Sequence, residues 1–326
     1  MALAVKRREV GAKPEKTTRR DDFPDFVNGM TRALWDQRRQ GIGIADLYDR
    51  EARIATPWGQ AQGHVGAGRE ISALLATFPD RRLLSEDVVW CPQGGSEYLG
   101  AQRLHVEGTQ TGPGRFGPAT GQRVVHRELS ELHVRMGRVS REWRIRDTGA
   151  ILRAGGTTPE DWARAQAAAG EPAPQAVTEP AQRLGNDSDW AQVFEDLVQQ
   201  ALGGNFSAIP AQYDPGCDLS YPGGEVARGP HAAERFWLGL GESFPTAKLT
   251  IHARMGLEEP LMPPRASLRW TLAGKHGGWG LFGRPTGAHV RVMGMSHAEF
   301  GPRGLRREWT LIDEAAVWLQ ILSPRD

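Results

Sequence analysis

The 326-residue chain has only two cysteines, almost no net charge and no long apolar run, and each shortage removes a class of protein. Cys91 and Cys217 cannot form the disulfide framework that staples small secreted domains, and neither sits in a CxxC or Cys/His metal spacing. A formal charge of +1 supplies no field that would favour nucleic acid or a membrane surface. No apolar stretch approaches a membrane span, and the N-terminus lacks the apolar block of a secretory signal. GxxxxGK[ST] is also missing, so the glycines from Gly108 to Gly121 read as hairpin or bulge positions between strands and not as a phosphate loop. These absences lead to the expectation of a cytoplasmic protein with no nucleic-acid or membrane partner.

What the chain does contain is a repeat. Moving Arg103–Ala150 by 166 positions gives fifteen identities over forty-eight residues without a gap. Arg103 falls on Arg269, and Phe116-Gly117-x-x-Thr120-Gly121 on Phe282-Gly283-x-x-Thr286-Gly287. Arg141-Glu142-Trp143 falls on Arg307-Glu308-Trp309, and Asp147 on Asp313. Chance gives about three identities in such a window, and two long copies mean two domains, not a stacked array.

Each copy reads as helices followed by strands. Pro24-Asp25 opens a helix with Phe26, Met30, Ala33 and Leu34 at helical spacing and Gly41 as its stop; Trp190, Val193, Leu197 and Ala201 repeat that spacing. A further helix runs from about Gly66 to Phe78, with Pro230 to Phe244 as its counterpart. Alternation then predicts strands near Asp87–Trp90, Gln102–Glu107, Arg123–Arg135 and Arg138–Ile145. The expected organisation is a disordered basic tail at 1–20, a domain at 21–156, a linker with a short helix at 157–186, and a second domain at 187–326. Both domains are α+β, with an antiparallel sheet.

The candidates for chemistry cluster at the end of each copy. The spacing of Arg127, Leu129, Glu131 and His133 puts all four side chains on one sheet face, and Trp143, Ile145 and Asp147 share a face of the next strand. A carboxylate beside an imidazole suits acid–base work. The second copy supplies His297, Glu299, Trp309 and Asp313, with the acid and histidine exchanged. Arg103 and Arg269 could hold a carboxylate or an enolate oxygen, or form a structural bridge to nearby acids. Asp147 and Asp313 precede apolar runs, so each could equally cap a terminal helix. Trp58, Trp90, Trp143 and Trp309 offer large apolar surfaces for a pocket.

Helices first, then Tyr-Asp, a Pro-Gly turn, Phe-Pro, Phe-Gly-x-x-Thr-Gly and a closing Glu-Trp-x-x-x-Asp: in this order the chain resembles the SnoaL-like polyketide cyclase and ester cyclase branch of the nuclear transport factor 2-like superfamily. The resemblance implies two cones, each a strongly curved antiparallel sheet wrapped on helices around a pocket, arranged as an internal pseudo-dimer. That pair would exist as a monomer or as a homodimer of itself. It implies acid–base chemistry of the cyclase, aldol or isomerase type on a small apolar carbonyl or polyketide-like substrate, without metal or organic cofactor. Asp147 matches the family's aspartate and His133 its histidine. Asp313 matches in the second copy, where Glu299 replaces the histidine. The alternative is a binding or scaffold protein of the same fold, and a third reading has one active copy beside a structural one.

Overall fold

A computed structural model describes residues 23–36, 42–175, 177–205 and 207–323. The basic tail and the expected stop at Gly41 lie outside them. Helix α1 (Phe23–Thr31) buries Phe23, Val27 and Met30 on one stripe and continues into a π-helical turn, Arg32–Asp36. Helix α2 (Ile42–Leu47) leads into strand β1 (Tyr48–Thr56), a tight hairpin to β2 (Gly59–Gln62), and helix α3 (Gly63–Thr77). Four long strands follow: β3 (Arg82–Gly94), β4 (Glu97–Thr109), β5 (Arg123–Arg135) and β6 (Arg138–Arg146).

The sheet order is β2-β1-β6-β5-β4-β3. Strands β3 to β6 are antiparallel neighbours, whereas β1 runs parallel to β6. The sheet is therefore mixed and not wholly antiparallel as expected, because the strand that follows the helices enters beside the last strand of the meander. The polypeptide then forms α4 (Thr148–Ala154) and α5 (Pro159–Ala168), the latter capped by the Thr158 hydroxyl on the Asp161 amide.

The second half repeats the plan. A two-residue strand β7 (Leu184–Gly185) precedes α6 (Asp189–Leu202), α7 (Ala208–Gln212), β8 (Tyr213–Tyr221), β9 (Glu225–Arg228) and α8 (Pro230–Ser243). Strands β10 (Lys248–Leu257), β11 (Arg265–Lys275), β12 (His289–Gly301) and β13 (Gly304–Ile312) lead to the last helix, α9 (Glu314–Leu322). The order β7-β10-β11-β12-β13-β8-β9 matches the first sheet strand for strand, with β7 added at one edge. The repeated Phe-Gly-x-x-Thr-Gly turn serves this architecture. Phe116 packs 5.9 Å from Phe78 at the end of α3, and Phe282 packs 5.6 Å from Phe244 at the end of α8.

Each sheet has one face against its helices and one against the other domain. On β5, Leu132 and Val134 join the core beneath the helices, while Leu129 joins a layer between the sheets with Trp143, Ile145, Met293, Met295 and Leu311. Two reciprocal contacts dominate that layer. The Arg269 guanidinium stacks 3.8 Å from the Trp143 ring centre, and the Arg103 guanidinium 3.4 Å from that of Trp309. Residues related by the repeat thus exchange roles across the boundary, as an approximate two-fold axis requires. Arg269 also donates to Glu131 at 2.9 Å and pairs with Glu179, and Arg103 donates to Glu86 at 3.0 Å and lies 3.6 Å from Glu299. The domains interlock further at α9, whose Ala315 and Leu319 belong to the first domain's core.

Removing one member of a buried ion pair leaves the other uncompensated, at a cost of about 3–5 kcal/mol. Arg269→Ala is therefore expected to destabilise the chain by roughly that amount in urea unfolding, and Arg269→Met combined with Glu131→Gln by less than the single change. A loss below about 1 kcal/mol for Arg269→Ala would mean that the stacked arginine does not couple the domains.

Candidate active site

The conspicuous hollow is a cavity of about 760 Å3 in the first domain. It lies between α3, the β1–β2 hairpin, the end of β6 and the turn at Gly114–Phe116. Its apolar wall comprises Ile54, Trp58, Val65, Leu74 and Phe116, and its charged wall Arg69, Glu70, Arg115, Arg144 and Arg146. One lining residue belongs to the second domain. Asp313, at the end of β13, is 2% exposed and reaches across to accept hydrogen bonds from Trp58 Nε1 at 2.8 Å and Thr148 Oγ1 at 2.7 Å. Burial raises its carboxyl above the ordinary value, against the hydrogen bonds from Thr148, Ala316 and Trp58 that lower it. Trp58 is held in turn by Trp162 of α5, packed edge-on at 5.6 Å, and by the Arg115 guanidinium 4.7 Å from its ring.

Behind the charged wall is a buried polar cluster. Tyr48 donates to Glu142 Oε2 at 2.5 Å, and Arg144 pairs with the other oxygen of Glu142. Arg81 donates to Glu128 at 2.6 Å, and Arg146 donates to the same oxygen. Burial pushes Glu142 and Tyr48 up; Arg146 and Arg81 overcome burial at Glu128 and hold it well below the usual range. His126, also buried, is pushed down to about 4 and so is neutral at pH 7.

The sequence candidates divide into two groups. Trp58 and Asp313 meet at the cavity. Glu131, Arg103, Arg269, His297, Trp143 and Trp309 lie in the layer between the sheets, not around a hollow. Glu131 is raised by burial and bound to Arg269, and His297 is fully enclosed with neither ring nitrogen hydrogen-bonded. His133 stands near the rim of that layer, 3.1 Å from Glu97, and burial lowers its pKa. Trp90 packs with Phe23 and Tyr98 in the first domain's core. The shared face expected for Arg127, Leu129, Glu131 and His133 is the face turned toward the second domain. Alternation defines two faces without saying which one the helices cover.

Both aspartates cap helices. Asp147 accepts from Ala150 N at 3.0 Å at the start of α4, and Asp313 from Ala316 N at 3.2 Å at the start of α9. Their remaining partners differ. Asp147 accepts the backbone N–H groups of Gly223 and Gly224, both at 2.8 Å, in the β8–β9 turn of the second domain. Those two glycines have φ of +85° and +76°, a conformation that side chains resist. Trp58 and Gly59 occupy the equivalent turn of the first domain, so one aspartate closes on backbone and the other faces a cavity.

The groups that sequence reasoning passed over are Glu70, Arg115, Arg144, Arg146 and their partners. The signal for them was difference between the copies. Glu70, Glu128, Arg144 and Arg146 correspond to Phe236, Gly294, Thr310 and Ile312. The corresponding space in the second domain is filled by rings, with Tyr221 stacked on Phe236 at 4.3 Å and Trp237 and Trp270 packed at 5.8 Å; a separate hollow of about 440 Å3 lies between α6 and β10. Trp270 lies where a side chain at Gly294 would be, since a Cβ there would come within 2.1 Å of its ring. Tyr213 and Tyr221 still donate to Glu308, so the tyrosine–glutamate pair common to both domains belongs to the fold. Among the described residues, no group of three or more His, Cys, Asp or Glu could hold a metal ion, and no helix is long and apolar enough to cross a membrane.

Comparison with known proteins agrees with this geometry domain by domain. Residues 25–155 match the family model described as SnoaL-like polyketide cyclase, and residues 194–308 that described as SnoaL-like domain. Similar solved structures include IdmH from Streptomyces antibioticus, titled provisionally a polyketide cyclase, at 24% identity over 41% of this chain and 98% of that one, with a TM-score of 0.36. TsrD from Streptomyces laurentii is 20% identical over 42% of this chain and 97% of its own, with a TM-score of 0.36. A Jannaschia protein, also titled provisionally a SnoaL-like polyketide cyclase, is 18% identical over 43% and 99%, with a TM-score of 0.36. No curated protein matches the chain.

Burial, followed by repulsion from Glu314, pushes the Asp147 carboxyl up to about 6, against its backbone donors. A folded-state value above the ordinary 3.8 means that protonated Asp147 favours folding; that contribution is complete at low pH and is lost as pH rises through about 6. The stability of the native chain relative to Asp147→Asn should therefore fall by about 2 kcal/mol between pH 4 and pH 7 in denaturant titrations. Parallel stability curves for the two proteins would show that Asp147 titrates normally.

Proposed function

Since this chain is a tandem pair of SnoaL-like domains, we propose that it is an enzyme of acid–base type. It transfers a proton α to the carbonyl of a small, largely apolar substrate held in the first domain's cavity, as a cyclase, aldol or isomerase-type reaction needs. Asp313 is the proton acceptor and donor. Its raised pKa brings it closer to neutrality, where a carboxyl group is an effective base and its conjugate acid an effective donor. Trp58 Nε1 and the Thr148 hydroxyl fix one carboxyl oxygen, so the orientation of the group is set before substrate arrives. An arginine on the same wall, Arg115 or Arg146, meets the oxygen that becomes negative as the proton leaves. The first domain is the reactive one and the second supplies one residue and a support; Asp147, bound to Gly223 and Gly224, takes the supporting role.

The observation that carries this reading is the presence of a buried, destabilised carboxyl group on the wall of an otherwise arginine-rich and apolar cavity. A binding protein of the same fold would share the cavity and differ in doing no chemistry, and one measurement separates the two. Aromatic β-keto esters incubated with the protein in D2O should exchange their α-protons, as followed by NMR. Asp313→Asn should slow exchange by about 100-fold or more while the protein remains folded, whereas Asp147→Asn should stay within a few-fold of the native rate. Equal rates for the native protein and Asp313→Asn would remove Asp313 from the chemistry. Saturable binding with no exchange would make the chain a binder.

A further inference from the structure

The polar half of the cavity contains more than proton transfer requires. Four arginines line it, Arg69, Arg115, Arg144 and Arg146, against two carboxylates, Glu70 and Asp313. Arg144 and Arg146 have partners deeper in the domain, Glu142 and Glu128, and Arg81 shares Glu128. Even so, the pairing is incomplete. Arg144 Nε and Arg146 Nη2 are buried N–H groups with no hydrogen-bond acceptor, as are Arg81 Nε and Nη1 deeper in the cluster beside the unpartnered Glu128 Oε2, and Arg146 Nη2 lies 3.7 Å from Glu70, beyond bonding distance. A guanidinium rarely gives up hydration without recovering its hydrogen bonds, so buried donors of this kind on a cavity wall point to an acceptor that arrives from outside. Arg69 and Arg115, nearer the solvent, make no ion pair among the described residues.

The balance of charge narrows the identity of that acceptor. With Arg81 counted, five arginines stand against Glu70, Glu128, Glu142 and Asp313, and Glu171 adds a further negative charge near Arg115. His126 adds nothing, since it is neutral at pH 7. The surplus of positive charge is at most one, which suits a carboxylate better than a dianionic phosphate. The opposite wall is apolar, formed by Ile54, Trp58, Val65, Leu74 and Phe116, so the remainder of the ligand is an apolar or aromatic body. The second domain shows what the same fold does without such a ligand: there the counterparts of Glu70, Arg144 and Arg146 are Phe236, Thr310 and Ile312, and rings fill the space.

We infer that the ligand of the first domain is an acidic carbonyl compound, its carboxylate bound by Arg144 and Arg146 and its apolar body laid against Trp58 and Phe116. This deepens the acid–base reading and rests on it for the place of the carbonyl, which must lie between the arginines and Asp313. Arg144 and Arg146 are then binding residues that set the substrate's direction in the cavity.

The test compares 4-(2-naphthyl)-4-oxobutanoate with its primary amide, which keeps size and shape but lacks the charge, by calorimetry on the full chain. The acid should bind at least about tenfold tighter than the amide, as a charge-assisted pair allows. That preference should shrink to near unity in Arg144→Met combined with Glu142→Gln, a variant that removes both charges of the buried pair and leaves neither unpaired. It should persist in Asp313→Asn, which separates this inference from the catalytic one: preference without proton exchange sinks the catalytic reading alone, and exchange without preference sinks this inference alone. Native protein that binds acid and amide alike, or binds neither, overturns it, and so does a folded double variant that keeps the preference. If the double variant does not fold, the comparison on native protein still decides.

Discussion

Two arginine–tryptophan stacks hold the two domains against each other. Each guanidinium sits within 4 Å of a ring in the opposite domain, at 3.4 Å for Arg103 on Trp309 and 3.8 Å for Arg269 on Trp143. Stacking of this kind is worth more when water is excluded, and both arginines are almost completely buried. Trp143 and Trp309 lie on β6 and β13, the strands that end in Asp147 and Asp313. Fixing those strands against each other therefore fixes where both aspartates emerge. One meets the glycine turn of the second domain, and the other meets Trp58 at the edge of the first domain's cavity. The cavity is consequently a product of two domains, although the sheet that encloses it belongs to one.

Much of this was legible in the residues. The duplication, the helices, the run of strands that closes each copy and the helix caps at Asp147 and Asp313 all follow from patterns that local physics imposes. The parallel pairing of β1 with β6 was not legible, because nothing in a strand's own residues names its neighbour. Nor could alternation distinguish the two faces of each sheet. In a single domain, one face of a sheet is buried and the other solvated, and a charged residue in the alternation signals water or a site. Here both faces are buried, one by helices and one by a second sheet. Glu131 and Arg269 therefore look like site residues in sequence while they neutralise each other between domains.

Recurrence was thus a guide to architecture and divergence a guide to function. Residues kept in both copies serve shared structure: the stacked arginines and tryptophans, the tyrosines bound to Glu142 and Glu308, the capping aspartates, and Phe116 and Phe282 against the helix ends. Residues charged in the first copy and uncharged in the second, Glu70, Arg115, Arg144 and Arg146, line the cavity, with Glu128 behind them. Burying Glu70, Glu128, Arg144 and Arg146 carries a desolvation cost that the second domain avoids with Phe236, Gly294, Thr310 and Ile312. A fold that can be completed with rings, as the second domain shows, has no structural need for that cluster.

Asp313 belongs to both categories, and that joins the two lines of argument. As the cap of α9 it is kept in both copies, and its first duty is to the helix. Its different position relative to solvent and ligand arises because the opposing turn differs: Trp58 in one domain, two glycines with positive φ in the other. A tryptophan leaves one N–H for the carboxylate and a ring for the cavity wall. The glycines offer two backbone N–H groups and close the space. The second position of the pair is glycine in both turns, so one residue, Trp58 against Gly223, separates an aspartate that lines a cavity from one that closes on backbone, with the strand, the helix and the aspartate unaltered. The second domain is therefore not a silent remnant, since the wall of the first domain's cavity would lack Asp313 without it.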